Sequence, residues 1–438
     1  GYGATQGIFA VESAVNELAH KMGMDPVKVK EMNMPVEGGP LPGYPDVPYA
    51  QSCSMDRCMA RAKEMMDWDS KYPCRDMGNG KVRGVGVAMA MQGSSIAGVD
   101  VGGADIKLNE DGSYTLALGC TDMGTGCDTV MAQIAADCLN TPMDNIVVFS
   151  VDTDISPYDS GSYASATTYT TGVAVMKACE ELKKKICKFG AEMMEVDERK
   201  VDFDGSCVFY DETLEISDGA EGNAAGHMTD AEEGYSVDMD AISSENAQKK
   251  VSLEDIALKS TFFNNIELQV VKQHSSPISP PPFMVGMAEV EVDTETGSVD
   301  VLDYVAVVDC GTPINPNLAR VQTEGGIAQG IGMALWEDVQ YTDKGKIRNN
   351  SFMQYKIPTR QDIGNIRVDF ECSYEKSGPF GAKSIGELVI DTPCPALAEA
   401  IYNATGVRLT ELPMTPEKIA MEILKNRESI RSGTKVEE

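Results

Sequence analysis

The sequence predicts an α+β protein built as two α+β lobes with mixed sheets and flanking helices. Two stretches carry that prediction. Ala104 to Leu108 and Ser113 to Leu118 alternate apolar and polar residues around Asn109-Glu110-Asp111-Gly112, and Met284 to Val292 and Ser298 to Val308 do the same around Asp293-Thr294-Glu295-Thr296-Gly297. Each pattern predicts a hairpin, and each is followed by an apolar run of helical period. At 438 residues the chain is long enough for two or three domains with ample core. The halves share this grammar without enough identity to be called a repeat.

In order along the chain, Gln6 to Met22 carries apolar residues at helical spacing, with Gly23 closing the helix. Asp25-Pro26 opens a second, short helix. Pro35 to Pro48 is a Gly- and Pro-rich linker, and Ser54 to Met66 is helical again. Val82 to Met91 predicts a strand. After the first hairpin come a helix from about Cys127 to Leu139, a strand at Ile146 to Val151 and a long helix from about Ser165 to Met194. Ser217 to Lys250 is acidic and poor in aromatics, the composition of a surface insertion. The second half adds a helix from about Leu318 to Leu335, a strand at Arg367 to Cys372, and helices at Pro395 to Thr405 and Pro416 to Leu424. The expected division is an opening helical segment and linker over 1–80, a first lobe over 81–216, the insertion over 217–252 and a second lobe over 253–438.

Hydrophobic residues make up 42% and charged residues 24%, ordinary values for a globular chain. A net charge of -31 argues against nucleic acid or an anionic membrane surface as a partner. No stretch approaches the ~20 apolar residues of a membrane span, and a cytoplasmic location is expected. The 12 cysteines include no Cys-x-x-Cys pair, and the three histidines, His20, His227 and His274, lie far apart. A zinc site or self-contained iron–sulfur cluster therefore has little to build on, and a redox metal would have to bring its own ligands. The chain opens Gly1-Tyr2-Gly3 without a methionine, and a start within a longer or processed product is expected.

Four loops stand out. Gly381 to Glu387 reads Gly-Ala-Lys-Ser-Ile-Gly-Glu and runs into Leu388-Val389-Ile390. A carboxylate placed against apolar surroundings gains proton affinity by desolvation, which suits a general base. A capping or salt-bridged Glu in a turn would fit the same pattern. Gly119 to Thr129, Asp159 to Ser165 and Gln322 to Gly330 are glycine-bearing loops at or within helix starts. Glycines allow close backbone approach, and helix N-termini favour anions. Each loop alone fits a tight turn equally well; together they suggest one extended, phosphate-bearing cofactor. None is a P-loop or a dinucleotide fingerprint.

These residues, taken in order, resemble the molybdenum hydroxylases, the xanthine dehydrogenase and aldehyde oxidoreductase family, over the C-terminal half of the molybdopterin-binding subunit. The resemblance rests on Gly1-Tyr2-Gly3-Ala4-Thr5-Gln6, Gly119 to Thr129, Asp309-Cys310-Gly311 with Asn315-Pro316, Gly325 to Gly330, Gly381 to Glu387, Ala400 to Gly406 and Leu412 to Lys418. It implies the molybdenum-cofactor-binding fold and a molybdopterin, in the cytosine dinucleotide form usual in prokaryotic members, whose dithiolene carries molybdenum with a terminal sulfido or selenido ligand. It implies that Glu387 is the general base, taking the proton as a water-derived oxygen attacks an electrophilic carbon while hydride passes to that terminal ligand.

By the same resemblance Gly124, Thr125 and Gly126 fall on a cofactor loop, with Thr125 where the family commonly has Gln. Ala164, Ser165 and Thr167 match residues lining the pterin tail, and Gln322 matches a Gln near the cofactor. Tyr2 falls where purine hydroxylases set an aromatic ring against substrate, a position that also suits helix packing. The implied partners are a subunit carrying the upstream half of the molybdopterin domain, an iron–sulfur subunit and a flavin (FAD) subunit. Some anaerobic nicotinate dehydrogenases are divided in this way. The expected reaction is oxidative hydroxylation of an N-heterocycle, a purine or nicotinate, with water as oxygen source. Alternatives are an aldehyde or aryl-CoA oxidoreductase of the same family, or a non-catalytic paralogue subunit.

Overall fold

The structure, a computed structural model, describes residues 3–43, 46–214 and 249–432. Tyr2 and nearly all of the acidic stretch expected as an insertion lie outside the described residues.

The chain opens with α1 (Ala4–Lys21), α2 (Pro26–Asn33), α3 (Met55–Met66) and a single turn, α4 (Trp68–Lys71). Asp25 caps α2 as its sequence predicts, accepting the Val27 N–H at 2.8 Å, with Pro26 supplying the first helical φ. Strands β1 (Cys74–Gly78) and β2 (Lys81–Met91) follow. Then come β3 (Gly102–Leu108), β4 (Tyr114–Leu118), α5 (Cys127–Leu139) and β5 (Ile146–Ser150). A π-turn at Thr167–Thr171 leads into α6 (Gly172–Met194). Short strands β6 (Val201–Phe203), β7 (Cys207–Tyr210) and β8 (Lys250–Ser252) precede α7 (Leu253–Leu258) and β9 (Gln269–His274). The remainder is β10 (Phe283–Asp293), β11 (Val299–Asp309), α8 (Pro316–Leu335), β12 (Asn365–Phe370), α9 (Pro393–Thr405) and α10 (Pro416–Ser432).

The architecture is α+β with two mixed sheets, as expected. One is five-stranded in the order β1-β2-β10-β11-β12, and one is four-stranded in the order β5-β4-β3-β9. In each, one pair is parallel, β11 with β12 and β4 with β5. Both predicted hairpins form: Leu108 faces Tyr114 across the first, and Val292 faces Val299 across the second. A third, three-stranded sheet, β6-β7-β8, had no clear sequence signal. Its strands are only three or four residues long, too short for alternation to register.

One grouping differs from expectation. Lys81–Met91, read with the first lobe, pairs along its whole length with Phe283–Asp293 and so belongs to the sheet of the second. Gly84 and Gly86 show why this pairing packs well. A Cβ on them would lie 2.2 Å from the Ala400 carbonyl oxygen and 2.1 Å from that of Ala396, so β2 needs glycine there for α9 to lie directly on the sheet. The small residues of α9, Ala396, Ala400 and Ala404, complete that close contact. The opposite face of the same sheet buries Met55, Met59 and Met66 of α3 against Val285, Met287 and Val305. The four-stranded sheet has its own core against α5 and α6, built on Ile106, Leu116, Met131 and Leu182.

Candidate active site

The Gly381–Glu387 loop is laid against the end of β11. Ala382 bridges to Gly311, Lys383 N donates to the Cys310 carbonyl at 2.8 Å, and Thr312 N donates to the Gly381 carbonyl at 2.9 Å. Gly311 has φ 69°, and a Cβ there would sit 2.2 Å from the Gly381 oxygen. Beneath the loop, Lys383 Nζ and Asp309 Oδ2 form a 3.0 Å ion pair in which both side chains are fully buried. Lys383 Nζ also donates to the Ser52 carbonyl at 3.1 Å. Asp309 in turn accepts from Ser54 N at 2.9 Å, Gly311 N at 2.9 Å and Ser373 Oγ at 2.7 Å. One residue further on, Ser384 N donates to Ser94 Oγ at 3.0 Å. The loop is thus tied to three separate segments before it reaches the carboxylate.

Glu387 itself is held from both lobes. Its backbone N–H donates to Ser165 Oγ at 2.9 Å, and the carbonyl of the preceding Gly386 accepts from Gln322 Nε2 at 2.8 Å. Its Oε2 accepts from Gln92 Nε2 at 3.1 Å and lies 3.5 Å from Ser165 Oγ. Ala164 and Ser165 have φ of 48° and 55°, two consecutive left-handed residues without a glycine. Such backbone costs about 1–3 kcal/mol per residue and persists where surrounding bonds fix it. Here it aims the Ser165 hydroxyl at Glu387.

Five of the residues singled out in the sequence share one cavity of ≈ 320 Å³: Thr125, Ser165, Thr167, Gln322 and Glu387 line it. The two lobes bring them together from the Gly119–Thr129 loop, the segment leading into α6, helix α8 and the Gly381–Glu387 loop. Gly124 and Gly126 flank Thr125, and Ala164 precedes Ser165, without lining the cavity. The Gly119–Thr129 loop departs from the expectation that its amides face an anion. Gly124 N and Gly126 N donate instead to Asp122 Oδ1, at 2.9 and 3.1 Å. Burial alone would raise the Asp122 carboxyl, but these bonds, with those from Asp128 N and Thr125 N, outweigh it and hold it below the usual range. Gly126 has φ 78°, and a Cβ there would lie 2.6 Å from Leu318 Cδ1, so α8 closes directly on this loop. Asp122, Cys127 and Asp128 bring their ligand atoms within 4.8 Å of one another. With Asp122 committed to backbone donors, that group reads as a cap of α5.

Sequence reasoning missed Gln92, Ser94 and the Asp309–Lys383 pair. The first two had a usable signal: Gln92-Gly93-Ser94-Ser95 is a small polar run at the end of an apolar strand, where functional loops sit. The ion pair had none, since its partners are far apart in the chain.

The cavity wall suits a cofactor that carries its own metal ligands. Its donors are neutral, the Ser165 and Thr167 hydroxyls and the Gln322 amide among them, and the Lys383 charge is already matched by Asp309. Such a wall can bond the ring and oxygen acceptors of a pterin without a protein metal ligand. Residues 61–364 match the molybdopterin cofactor-binding domain, and residues 1–34 match a second domain of the same description. The chain belongs to this family, the molybdopterin-binding part of the molybdenum hydroxylases.

Particular relatives sharpen the placement. A protein of Escherichia coli strain K12 named "Probable hypoxanthine oxidase" is 34% identical over 435 residues, covering 96% of this chain and 41% of its own. The xanthine dehydrogenase molybdenum-binding subunit of Escherichia coli O157:H7 is 30% identical over 428 residues, covering 96% and 52%. The chain therefore spans about half the length of these relatives, or less. In fold it resembles quinoline 2-oxidoreductase from Pseudomonas putida 86, with a TM-score of 0.80, 22% identity and coverage of 97% of this chain and 52% of that one. Among the described residues no helix is long and apolar enough to cross a membrane.

Proposed function

We propose that this chain is the molybdopterin-binding half of a hydroxylase that oxidises a carbon of an N-heterocycle, with a purine as the preferred class. The observation that carries this reading is the placement of the Glu387 carboxylate in one cavity with Thr125, Ser165, Thr167 and Gln322. The names of the two Escherichia coli relatives, a hypoxanthine oxidase and a xanthine dehydrogenase subunit, support the purine class. The reaction converts R–H and water to R–OH, two protons and two electrons.

When bound, molybdopterin supplies the redox metal that activates water and takes up the electron pair. Thr125, Thr167 and Gln322 hold it at the wall, with Gly124, Gly126 and Ala164 shaping the turns behind them. Glu387 Oε1 or Oε2 accepts a proton as the new C–O bond forms. Ser165 keeps that carboxylate over the cavity, and Gln322 fixes the peptide before it. Tyr2 contributes an aromatic face to the substrate.

The cofactor is a cytosine dinucleotide form with a sulfido or selenido ligand on molybdenum. A subunit carrying the upstream half of the domain completes the pocket, and iron–sulfur and flavin subunits lead the electrons away. The assembly resides in the cytoplasm, where unpaired thiols such as those of Cys53, Cys58 and Cys394 persist. The test is molybdenum and pterin analysis of the purified complex, with turnover of purines and nicotinate followed by an artificial electron acceptor. A complex without molybdenum would sink this reading. A second reading, aldehyde oxidation, is favoured by the 29% identity over 426 residues to the aldehyde oxidoreductase molybdenum-binding subunit of Escherichia coli strain K12. Aldehydes in the same panel decide between the two.

A further inference from the structure

Gln92 follows the last residue of β2, a central strand of the five-stranded sheet, and its amide nitrogen donates to Glu387 Oε2 at 3.1 Å. A carboxylate accepts hydrogen bonds and cannot donate one when ionised. The amide nitrogen must therefore face Glu387, which turns the amide oxygen the other way. That oxygen is buried and has no hydrogen-bond partner among the described residues. Leaving a buried acceptor unpaired is destabilising, and an unbranched apolar residue of similar length would avoid the penalty. On folding grounds alone glutamine is a poor choice here. Its amide is explained by the bond to Glu387.

We propose that Gln92 is a positioning residue for the base: it fixes the Glu387 carboxylate over the cavity. This rests on the reading of Glu387 as the base given above. The backbone of the loop is set independently by Ser165 and Gln322, so Gln92 acts on the side chain. β2 is hydrogen-bonded to β10 as far as Met91, the residue before Gln92, which mounts the amide on the sheet. The charged groups nearby are Lys383, paired with Asp309, and Asp391 on the turn after Glu387. Gln92 adds a neutral donor to the Glu387 carboxylate.

The test uses the holo-complex with Gln92→Met, Gln92→Glu and Glu387→Gln side by side. Molybdenum content, thermal midpoint, and kcat and KM across pH are measured for each. Gln92→Met should retain molybdenum and keep or raise the midpoint. Its kcat per molybdenum should fall roughly 10- to 100-fold with KM little changed. Gln92→Glu keeps the length but replaces the amide donor beside Glu387 with a second carboxylate, so its kcat per molybdenum should fall too. An unchanged kcat in either loaded variant overturns the proposal. So does a lower midpoint or molybdenum content with unchanged kcat per molybdenum, since that is a structural role. If Glu387→Gln turns over at the parent rate, the base reading itself has failed. If Glu387→Gln is inactive while both Gln92 variants behave as the parent, the positioning role alone has failed.

Discussion

Removing the Lys383 ammonium tests how the Gly381–Glu387 loop is anchored. Lys383→Met keeps the side-chain volume, so little cavity opens. It strips a charge partner from Asp309, whose side chain is fully buried, and it leaves the Ser52 carbonyl without the donor it has at 3.1 Å. It also removes the ammonium lying 4.9 Å from the centroid of the Phe283 ring. Breaking a buried pair from one side costs about 3–5 kcal/mol. Asp309 would retain Ser54 N, Gly311 N and Ser373 Oγ, which pulls the expected loss toward the lower end, about 3 kcal/mol. Urea unfolding followed by tryptophan fluorescence reads it, since Trp68 is 1% exposed and stacks on Tyr72 in the core under α3. Asp309→Asn and the double variant close a cycle, and the double should lose about 1–3 kcal/mol less than the sum of the singles. A loss under about 1 kcal/mol for Lys383→Met, or strict additivity, would refute the view that this pair anchors the loop.

Three further outcomes follow from the site. Glu387→Gln should keep its molybdenum and KM while kcat falls by roughly 10²- to 10⁴-fold, as loss of a general base requires; parent-level turnover removes Glu387 from that role. Burial pushes the Asp391 carboxyl up to about 6, with the Glu387 charge adding and the Thr5 hydroxyl bond opposing. Between its unfolded value near 3.8 and about 6, the folded state holds a proton that the unfolded state lacks. Stability must therefore fall as pH rises through that window, by ~3 kcal/mol in all, and Asp391→Asn should flatten the urea midpoint there; an unchanged slope refutes the assignment. Gly126→Ala places a Cβ 2.6 Å from Leu318 Cδ1 at φ 78°, and should cost about 1–3 kcal/mol. It should also lower molybdenum occupancy, and a variant that loads fully shows the contact to be slack.

Local order was largely legible in the chain. Alternation around Gly112 and Gly297 gave two hairpins that form, and the Asp25-Pro26 signal gave a cap that is present. What the sequence could not convey was which strand lies beside which. Lys81–Met91 follows the linker and precedes the first hairpin, so proximity in the chain grouped it with the wrong sheet. Its true neighbour lies about two hundred residues on, and only the Gly84 and Gly86 contacts with α9 make that pairing explicable. Of the glycine stretches, Gln322–Gly330 lies inside α8 and is not a loop, and the donors of Gly119–Thr129 were misjudged. A helix start advertises free N–H groups, yet Asp122 two residues before Gly124 takes up the N–H of both Gly124 and Gly126. An Asx turn of this kind is readable in principle, since Asp followed two residues later by Gly is its signature.

The consequence for the cofactor is a division of labour between the loops. Where Asp122 occupies the amides of Gly124 and Gly126, the Gly119–Thr129 segment forms a wall in which Thr125 lines the cavity. The Glu387 side of the cavity works differently. Its backbone is drawn into place by bonds that cross between lobes, with Ser165 from the segment before α6 meeting Glu387 from the loop after β12. A small displacement of one lobe would break the Ser165 bond and shift the carboxylate before it affected either core, because the cores are separate clusters on different sheets. The geometry of the Glu387 carboxylate is therefore expected to give way before the fold that carries it. Conditions that loosen the lobe contact should lower turnover at denaturant concentrations below those that unfold the Trp68 core.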